Sequence, residues 1–388
     1  MSRARPELRL GKPLRERIAA GHPWVYDRAL AVPRGLAAGD VVALADARGR
    51  LAAAFVDPDS PIRARVLDRD PDAACDGRWA AARAQAAAAR RARDPLLAGC
   101  TGRRLVHGEA DGCPGLVVDG YADTAVIALD GEAAAAFWRP RLGDVLSGLE
   151  RGGAAVAHAW LRGERGQRGG EAVRGDPPAE IAIAEDAARF AVDVRAGQKT
   201  GLFLDQRDNR RTIGRHAAGA RVLNLFAYTG GFSLHAALGG AARVTSVDLA
   251  PPAIAGLGRN LELTGLPRDA HEPVVADAFD YLAHAAKTGR RWDLAIVDPP
   301  SFAPSERARP AALRAYQRLA AMTLAVVEPG GRFALASCSS HVTEADLLAA
   351  LPPGELRLRA SAGAASDHPV LPAFPEGRYL KFLFFDLG

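Results

Sequence analysis

The sequence predicts an α/β protein of two or three domains, from its length and from a change of pattern along the chain. At 388 residues the chain exceeds the roughly 100–200 residues of an ordinary domain. From about residue 196 onward, apolar strand-like runs alternate with helical segments, which is typical of a parallel sheet covered by helices. We therefore expect a small β-rich domain at residues 1–74, a central α+β domain at 75–195, and a domain with a seven-stranded, mostly parallel sheet at 196–388.

Short apolar runs and turn residues dominate the first two domains. DVVALADARGRLAAAFVDP predicts two strands around a turn at 46–49, and the alternating IRARVL at 62–67 predicts another. The Gly, Arg and Pro of residues 162–179 predict a mobile loop. The other expected elements are a helix over 77–99, three strands over 105–129 and a hairpin over 180–194.

In the C-terminal domain, five strands are expected to alternate with helices, and an antiparallel pair is expected to close the sheet. A long helical segment at 306–328 stops at Pro329, Gly330 and Gly331. The strands are expected at 221–226, 243–249, 271–277, 293–298 and 332–337, with the closing pair at 356–361 and 377–387.

Composition narrows the class of protein. The hydrophobic share of 48% and the charged share of 24% are ordinary for a soluble globular chain. No apolar run approaches the roughly 18–20 residues of a membrane helix, and the basic N-terminus lacks the apolar core of a secretory signal. The four cysteines lie far apart and form no CxxC pair, so neither a metal site nor a disulfide framework is predicted. The expected location is the reducing cytoplasm.

Basic residues are unevenly distributed along the chain. Residues 1–34 hold eight Arg or Lys, and residues 78–104 hold seven Arg. Clusters of this kind favour a polyanion such as nucleic acid. Because only four of the 50 cations are Lys, a biased composition that leaves solvated Arg on the surface is the alternative.

The motif VLNLFAYTGGFSLHAAL predicts a ligand-binding turn. A buried strand runs into Phe226, Tyr228, Thr229 and Gly230, and a helix opens directly afterward. Glycine lets the backbone approach a ligand, and the helix N-terminus offers unpaired N–H groups. The strict GxGxxG of a dinucleotide site is absent.

Two carboxylates end the next two strands. Asp248 comes 18 residues after Gly230, where it can accept hydrogen bonds from a ribose, and Asp277 can reach an adenine edge. Asp after a strand is more often a cap or a turn residue. The three strand ends together nevertheless suit S-adenosylmethionine as the cofactor.

DLAIVDPPSF predicts a site for a planar polar group. Asp298 leaves the fourth strand before Pro299 and Pro300, each of which fixes φ and removes a donor, and Phe302 is available for stacking. A nucleobase flipped out of its stack would fit there. Asp298 also borders the cofactor crevice. The alternative is a Pro-rich loop that merely ends a strand.

Cys338 follows the fifth strand in FALASCSSHV and is expected to face the same crevice as Asp298. A buried Cys is normally a small hydrophobe, but a polar setting just before a helix favours the thiolate. A thiolate that adds to C6 of cytosine activates C5 for attack on a sulfonium methyl. Asp298 could hydrogen-bond N3 and the exocyclic amine. The base that removes the C5 proton is not evident, and water and His341 are both open.

RAGQKTGLFLDQRDNR, residues 195–210, is dense in polar and charged side chains just before the first strand of the sheet. Capture of the zwitterionic amino-acid tail of the cofactor by Lys199, Asp205, Gln206 or Arg207 is the hypothesis for this segment.

The motifs GQKTGLFLDQRDNR, NLFAYTGGFSLHAA, VDPPSF, ASCSSHV and DHPVLPAFPEGRYLKFLFF, in this order, resemble those of the RlmI-type bacterial 23S ribosomal RNA cytosine-C5 methyltransferases. HPWVYDRAL and the following β-unit resemble the N-terminal PUA domain of that family. The resemblance implies a class I, Rossmann-like fold dependent on S-adenosylmethionine, 23S rRNA as partner, Cys338 as nucleophile and Asp298 as active-site carboxylate. Many RNA cytosine-C5 methyltransferases carry a second Cys where this chain has Pro300, so no helper for product release is assigned.

Two alternatives and one undetermined property accompany this interpretation. Enzymes that methylate an exocyclic amine of guanine or adenine also use an Asp-Pro-Pro-aromatic turn and need no thiol. An RNA-binding or assembly factor could hold S-adenosylmethionine without turnover. The oligomeric state stays open, with a homodimer among the alternatives.

Overall fold

The computed structural model describes residues 5–163 and 169–388, which divide into two compact units. Unit 1 holds the described residues up to Ile183 together with Val192–Leu204 and Ser366–Gly377. Unit 2 holds Ala184–Ala191, Asp205–Ala365 and Arg378–Gly388. No helix among the described residues is long and apolar enough to cross a membrane. The domain borders at residues 74 and 195 stay predictions.

The first sheet of unit 1 has five strands in the order β1-β3-β4-β5-β2. β1 pairs in parallel with β3 and the remaining pairs are antiparallel, with the predicted turn joining β3 to β4. Apolar side chains from both faces are buried, among them Val42, Phe55 and Ala64. The elements are β1 (Glu7–Arg9), α1 (Arg15–Ala19), β2 (Trp24–Tyr26), β3 (Val41–Asp46), β4 (Gly49–Val56) and β5 (Ile62–Asp68).

A second five-stranded sheet in unit 1 has the order β10-β9-β8-β7-β6. The helix predicted over 77–99 ends at Ala92, because Pro95 begins a separate 3-10 turn. The elements are α2 (Gly77–Ala92), β6 (Gly102–His107), β7 (Leu116–Tyr121), β8 (Thr124–Leu129), α3 (Glu132–Trp138), α4 (Leu142–Arg151), β9 (His158–Arg162) and β10 (Gly170–Arg174).

The prediction of a loop over residues 162–179 is wrong in part. Residues 170–174 form β10, which pairs antiparallel with β9, and residues 164–168 lie outside the described part of the chain. A Gly-rich segment can still complete a sheet edge, because backbone hydrogen bonds rather than side chains hold the strand. The hairpin predicted over 180–194 is confirmed as β11 (Glu180–Glu185) and β12 (Ala188–Asp193).

Unit 2 contains the seven-stranded sheet, in the order β15-β14-β13-β16-β17-β19-β18. The first five strands of this order are parallel, and β19 and β18 close the edge as an antiparallel pair. This is the predicted arrangement. The strands are β13 (Arg221–Leu225), β14 (Arg243–Asp248), β15 (His271–Val275), β16 (Trp292–Val297), β17 (Val327–Ser337), β18 (Leu356–Ala362) and β19 (Lys381–Leu387).

Helices cover both faces of this sheet. On β13, Leu223 and Leu225 pack in one cluster with Leu282 and Leu319, whereas Val222 packs in another with residues of α5 and α6. The period of two along the strand separates these two faces. The helices are α5 (Arg207–Arg215), α6 (Gly231–Leu238), α7 (Pro251–Thr264), α8 (Ala278–Lys287), α9 (Arg309–Leu324) and α10 (Glu344–Ala350). Strand order reverses at β13 and β16, so ligands are expected at the carboxyl ends of these strands.

Most of the Arg cluster at 78–104 serves unit 1 itself. Arg91 is buried and forms two hydrogen bonds of 2.7 Å to the carboxylate of Asp111. Three further Arg of the cluster form ion pairs with acids of the same unit, in the pairs Arg83–Asp68, Arg90–Asp111 and Arg104–Asp119. These four cations therefore share three carboxylates, and binding of an RNA backbone by the cluster stays a prediction.

Candidate active site

The turn after β13 has an unusual backbone. Phe226, Tyr228 and Gly230 all adopt positive φ, of 58°, 48° and 85°, a region that costs a residue with a side chain roughly 1–2 kcal/mol. Asn260 fixes the turn by donating from Nδ2 to the carbonyl of Thr229 at 2.9 Å. Gly230 is the N-cap of α6. Strain of this kind persists at ligand sites, where the surrounding structure holds the backbone in place.

Asp248 ends β14 and braces this turn. Its Oδ2 accepts a hydrogen bond from the Tyr228 N–H at 2.8 Å, and its Oδ1 accepts one from the Ala250 N–H at 2.9 Å. Each carboxylate oxygen can accept a second hydrogen bond, so the half-buried side chain retains capacity for a pair of ribose hydroxyls.

Asp277 lies between β15 and α8 and caps the helix. Its Oδ1 accepts hydrogen bonds from the N–H groups of Phe279 and Asp280, at 2.8 and 3.2 Å. The cap role that is common for Asp after a strand is thus present. The predicted contact with adenine stays a prediction. The carboxylates of Asp248 and Asp277 and the strained turn form a donor and acceptor set that fits an adenosyl group.

Asp298 follows β16 and is oriented by a chain of amides. Gln206 donates from Nε2 to Asp298 Oδ1 at 2.9 Å, and Asn209 donates from Nδ2 to Gln206 Oε1 at 2.7 Å. Asn209 also donates to the Gly363 carbonyl at 3.1 Å, which fixes the orientation of both amides. Gln206 therefore contacts the predicted catalytic carboxylate. Its predicted role at the cofactor tail stays a prediction.

The other predicted tail-binding residues lie in different surroundings. Asp205 is buried and accepts a hydrogen bond from the Tyr379 hydroxyl at 2.7 Å. Arg207 is fully buried, with Nε 3.7 Å from the carboxylate of Glu185. Lys199 is exposed in unit 1, with its Nζ 4.4 Å from the ring centroid of Phe203. Contacts of these residues with a cofactor stay predictions.

Glu185 is the centre of a buried charged cluster in unit 2. Its carboxylate contacts the guanidinium of Arg210 and lies 2.9 Å from His235 Nε2. Burial acts to raise the pKa of Glu185, but the charge of Arg210 and the hydrogen bonds from His235 and Arg210 outweigh it and hold that pKa well below its usual range. The cluster thus keeps a buried carboxylate ionised.

The Pro-Pro turn leads into an aromatic pair. Pro299 is buried and Pro300 is exposed. Phe302 is half-buried, and its ring packs against that of Tyr316 with centroids 5.0 Å apart at 54°. Phe302 is therefore held by a neighbouring ring, and its stacking on a nucleobase stays a prediction.

Cys338 comes directly after β17, and its side chain is half-buried and forms no disulfide. Serine side chains join its loop to the loop after β16. Ser339 Oγ lies 2.8 Å from Ser301 Oγ and accepts a hydrogen bond from the Ala303 N–H at 3.1 Å. Because β16 and β17 are neighbouring parallel strands, Asp298 and Cys338 leave the same edge of the sheet.

A helix follows the loop of Cys338, as expected. The helix α10 begins at Glu344 with Thr343 as its N-cap, so its N-terminus is six residues away from the cysteine. A helix dipole acts only within about its first turn. His341, one of the proposed bases, lies with Nδ1 3.3 Å from Glu306 Oε2.

Tyr316 and Lys381 were not predicted from the sequence but lie at this site. The Tyr316 hydroxyl donates to Ser337 Oγ at 2.8 Å. Burial raises the pKa of Tyr316 to about 12, and negative charge on Cys338 and on Asp298 acts in the same direction. Lys381 is a single cation in the apolar run YLKFLFF, which was the available signal. The charges of Cys338 and Asp298 both act on the buried phenol of Tyr316.

Two family models match the chain. The model described as S-adenosylmethionine-dependent methyltransferase matches residues 154–350, and the model described as PUA-like domain matches residues 8–69. Both matches agree with the resemblance found in the sequence motifs.

Curated relatives match nearly the whole chain. A protein of Deinococcus radiodurans named ribosomal RNA large subunit methyltransferase is 40% identical over 408 residues, covering 100% of this chain and 98% of the relative. The ribosomal RNA large subunit methyltransferase I of Klebsiella pneumoniae is 34% identical over 397 residues, covering 97% of each chain.

Solved structures share the fold. The crystal structure of SMU.776, a methyltransferase complexed with SAH, superposes with a TM-score of 0.86 at 23% identity, covering 98% of this chain and 100% of the other. A SAM-dependent methyltransferase from Streptococcus mutans gives a TM-score of 0.85 at 23% identity with the same coverage. The predicted class I fold is confirmed.

Proposed function

The chain belongs to the S-adenosylmethionine-dependent methyltransferase family and, within it, to the ribosomal RNA large subunit methyltransferases, and on this premise we propose that it methylates C5 of a cytosine in 23S rRNA. The observation that carries the proposal is the pair of side chains that leave neighbouring parallel strands, Asp298 after β16 and Cys338 after β17. A methyltransferase that acts on an amine nitrogen needs no thiol there, because the nitrogen lone pair is itself the nucleophile.

Carbon 5 of cytosine is a poor nucleophile, so the enzyme must activate the ring. The Cys338 thiolate supplies the electron pair for a new bond to C6, and the ring double bond shifts its electrons toward C5. Asp298, held by Gln206, accepts from the exocyclic amine and favours the protonated, activated ring. Bound S-adenosylmethionine supplies an electrophilic sulfonium methyl group for C5.

The cycle closes by restoring the aromatic ring. A base takes the C5 proton, the electrons of that C–H bond re-form the C5–C6 double bond, and the thiolate of Cys338 leaves C6. The half-buried position of Cys338 suits both the addition to C6 and the elimination, because the side chain is partly exposed to a ring in the crevice and partly shielded from water.

The geometry of the turn after β13 supports the proposed cofactor residues. We assign Asp248 as the ribose acceptor, because its two oxygens accept hydrogen bonds from the strained turn and keep lone pairs for hydroxyl donors. Asp277 is the corresponding candidate for the adenine edge.

Nucleoside mass spectrometry tests the proposed reaction. Protein-free 23S rRNA is incubated with S-adenosylmethionine and either the wild-type protein or Cys338→Ala, with the Cys100→Ala variant as a matched control at a buried cysteine. We expect 5-methylcytidine with the wild type and the control, and none with Cys338→Ala. Methylated guanine or adenine with all three proteins would contradict the proposal and favour methylation of an exocyclic amine.

A further inference from the structure

Lys381 is a buried cation at the start of β19, opposite the strand end that carries the proposed nucleophile. The residue is 7% exposed, and the strand register pairs it with Ser337, the residue before Cys338. Its Nζ donates to the carbonyl oxygen of Ser339 and, at 2.9 Å, to that of Tyr379. The ammonium is therefore held against the loop that contains Cys338.

Both of these hydrogen-bond partners are neutral, although a buried ammonium needs a counter-charge. Burial lowers the pKa of Lys381 to about 8, and the groups that oppose this shift are Cys338 as thiolate and Asp346. Asp346 is already paired with Arg309 at 2.7 Å. Within the described residues, Cys338 is thus the group left to balance the charge of Lys381.

The remaining ionisable groups near this loop do not supply that anion. Tyr316 has a pKa raised to about 12, chiefly by burial, so its phenol stays neutral at physiological pH. The charges that act on Lys381 are those of Cys338 and Asp346, whereas Asp298 accepts a hydrogen bond from Gln206 at 2.9 Å and is assigned to the cytosine ring.

We propose that Lys381 is a positioning residue for Cys338. The ammonium group of Lys381 is the counter-ion that keeps the thiol of Cys338 in its thiolate form. Opposite charges in a partly desolvated site favour each other's charged form. The use of this pair in catalysis rests on the proposed function. When the thiolate adds to C6, Lys381 keeps its proton, and the thiolate returns to the same ion pair on elimination.

The pH dependence of Cys338 alkylation tests the pair without RNA or cofactor. The full-length protein is treated with iodoacetamide between about pH 5.5 and 10, and modification of Cys338 is followed by peptide mass spectrometry. Cys75, Cys100 and Cys113 are buried and serve as internal references. The variants are Lys381→Met, Lys381→Arg and, as a matched control at an exposed lysine, Lys287→Met.

In Lys381→Met we expect the midpoint of alkylation to rise by about one pH unit and the rate at pH 7 to fall about tenfold. Lys381→Arg keeps the positive charge and is expected to restore the rate to within about threefold. Lys287→Met should match the wild type. A wild-type midpoint in Lys381→Met, or an equal shift in Lys381→Arg, would overturn the proposal.

A reciprocal measurement on Lys381 itself tests the ion pair without requiring that a Lys381 variant folds. The chain holds only four lysines, so an NMR spectrum with ¹³Cε-labelled lysine contains few signals. Since coupling is mutual, Cys338→Ser should move the titration of Lys381 to lower pH. An unchanged titration would overturn the ion pair. If both shifts appear while rRNA yields no 5-methylcytidine, the ion pair stands and the proposed function fails.

Discussion

Replacing Gly230 by Ala should damage the cofactor turn, and the structure allows the magnitude to be worked out. Gly230 has φ of 85°, where an Ala costs roughly 1–2 kcal/mol. The added Cβ would lie 2.1 Å from Leu257 Cδ1 and 3.2 Å from Leu234 Cδ1, and such overpacking typically costs about 1–3 kcal/mol. We therefore expect a loss of about 2–5 kcal/mol in the free energy of unfolding.

Thermal unfolding and cofactor titration measure this effect. At about 2–4 °C per kcal/mol for a domain of roughly 150–250 residues, the transition of Gly230→Ala should fall by about 4–20 °C. Its affinity for S-adenosylmethionine should weaken about tenfold or more, because the turn moves.

The matched control is Gly258→Ala. Gly258 lies inside α7, and its Cβ would meet nothing within 4 Å, so this variant should gain about 0.5–1 kcal/mol. A Gly230→Ala protein that melts within a degree of the wild type and binds the cofactor normally would refute the reasoning.

Three further predictions follow from buried polar contacts. Gln206→Leu should lower kcat about tenfold or more, because Asp298 loses the hydrogen bond that positions it. The Kd for S-adenosylmethionine should stay within about twofold in calorimetry. A raised Kd with a normal kcat would instead indicate that Gln206 binds the amino-acid tail of the cofactor. The pKa of Glu185 is depressed in the folded protein, so its contribution to stability is present above its unfolded pKa of about 4.5 and is lost as the pH falls below that value. Glu185→Gln should therefore lose about 3–5 kcal/mol of unfolding free energy at pH 7 and show a weaker dependence of stability on pH in the acid range. Denaturant titrations at several pH values measure this, and a curve like that of the wild type would contradict it. Arg91→Met should lower the melting temperature, because the buried carboxylate of Asp111 loses two of its hydrogen bonds and keeps its contact with Arg90. RNA affinity should stay within about twofold in filter binding, and a large loss of RNA affinity in a stable protein would support an RNA role for Arg91.

The seven-stranded sheet could be predicted because most of its strands are apolar runs that end in a turn signal. RVLNLF before a Gly-rich turn and DLAIVD before two prolines both leave little choice of element. β10 could not be predicted, because Gly170–Arg174 lacks apolar alternation and becomes a strand only by pairing with β9.

The site could be predicted only as far as strand ends reveal it. Asp248 ends a strand, and Asp298 and Cys338 each follow one directly, which a sequence shows. The contact between Gln206 and Asp298 joins residues 92 positions apart, and Lys381 reaches its loop through the antiparallel register of β19. Pairings over such separations depend on the folded sheet, and no local pattern specifies them.

Internal pairing also limits what a basic cluster in the sequence can indicate. Arg91 and Arg104 find their carboxylates in Asp111 and Asp119, beyond the cluster itself. A count of charges in a window of sequence cannot separate a cation that faces solvent from one that is neutralised by a distant acid.

Covalent trapping tests the central claim, attack by Cys338 on the cytosine ring, most directly. A 23S rRNA transcript made with 5-fluorocytidine is incubated with the protein and S-adenosylmethionine. Fluorine at C5 cannot leave as a proton, so the thiolate cannot be eliminated from C6. The account predicts a protein–RNA adduct that survives denaturation and maps to Cys338, with none in Cys338→Ala. No adduct with an active wild-type enzyme, or an adduct on another residue, would contradict it.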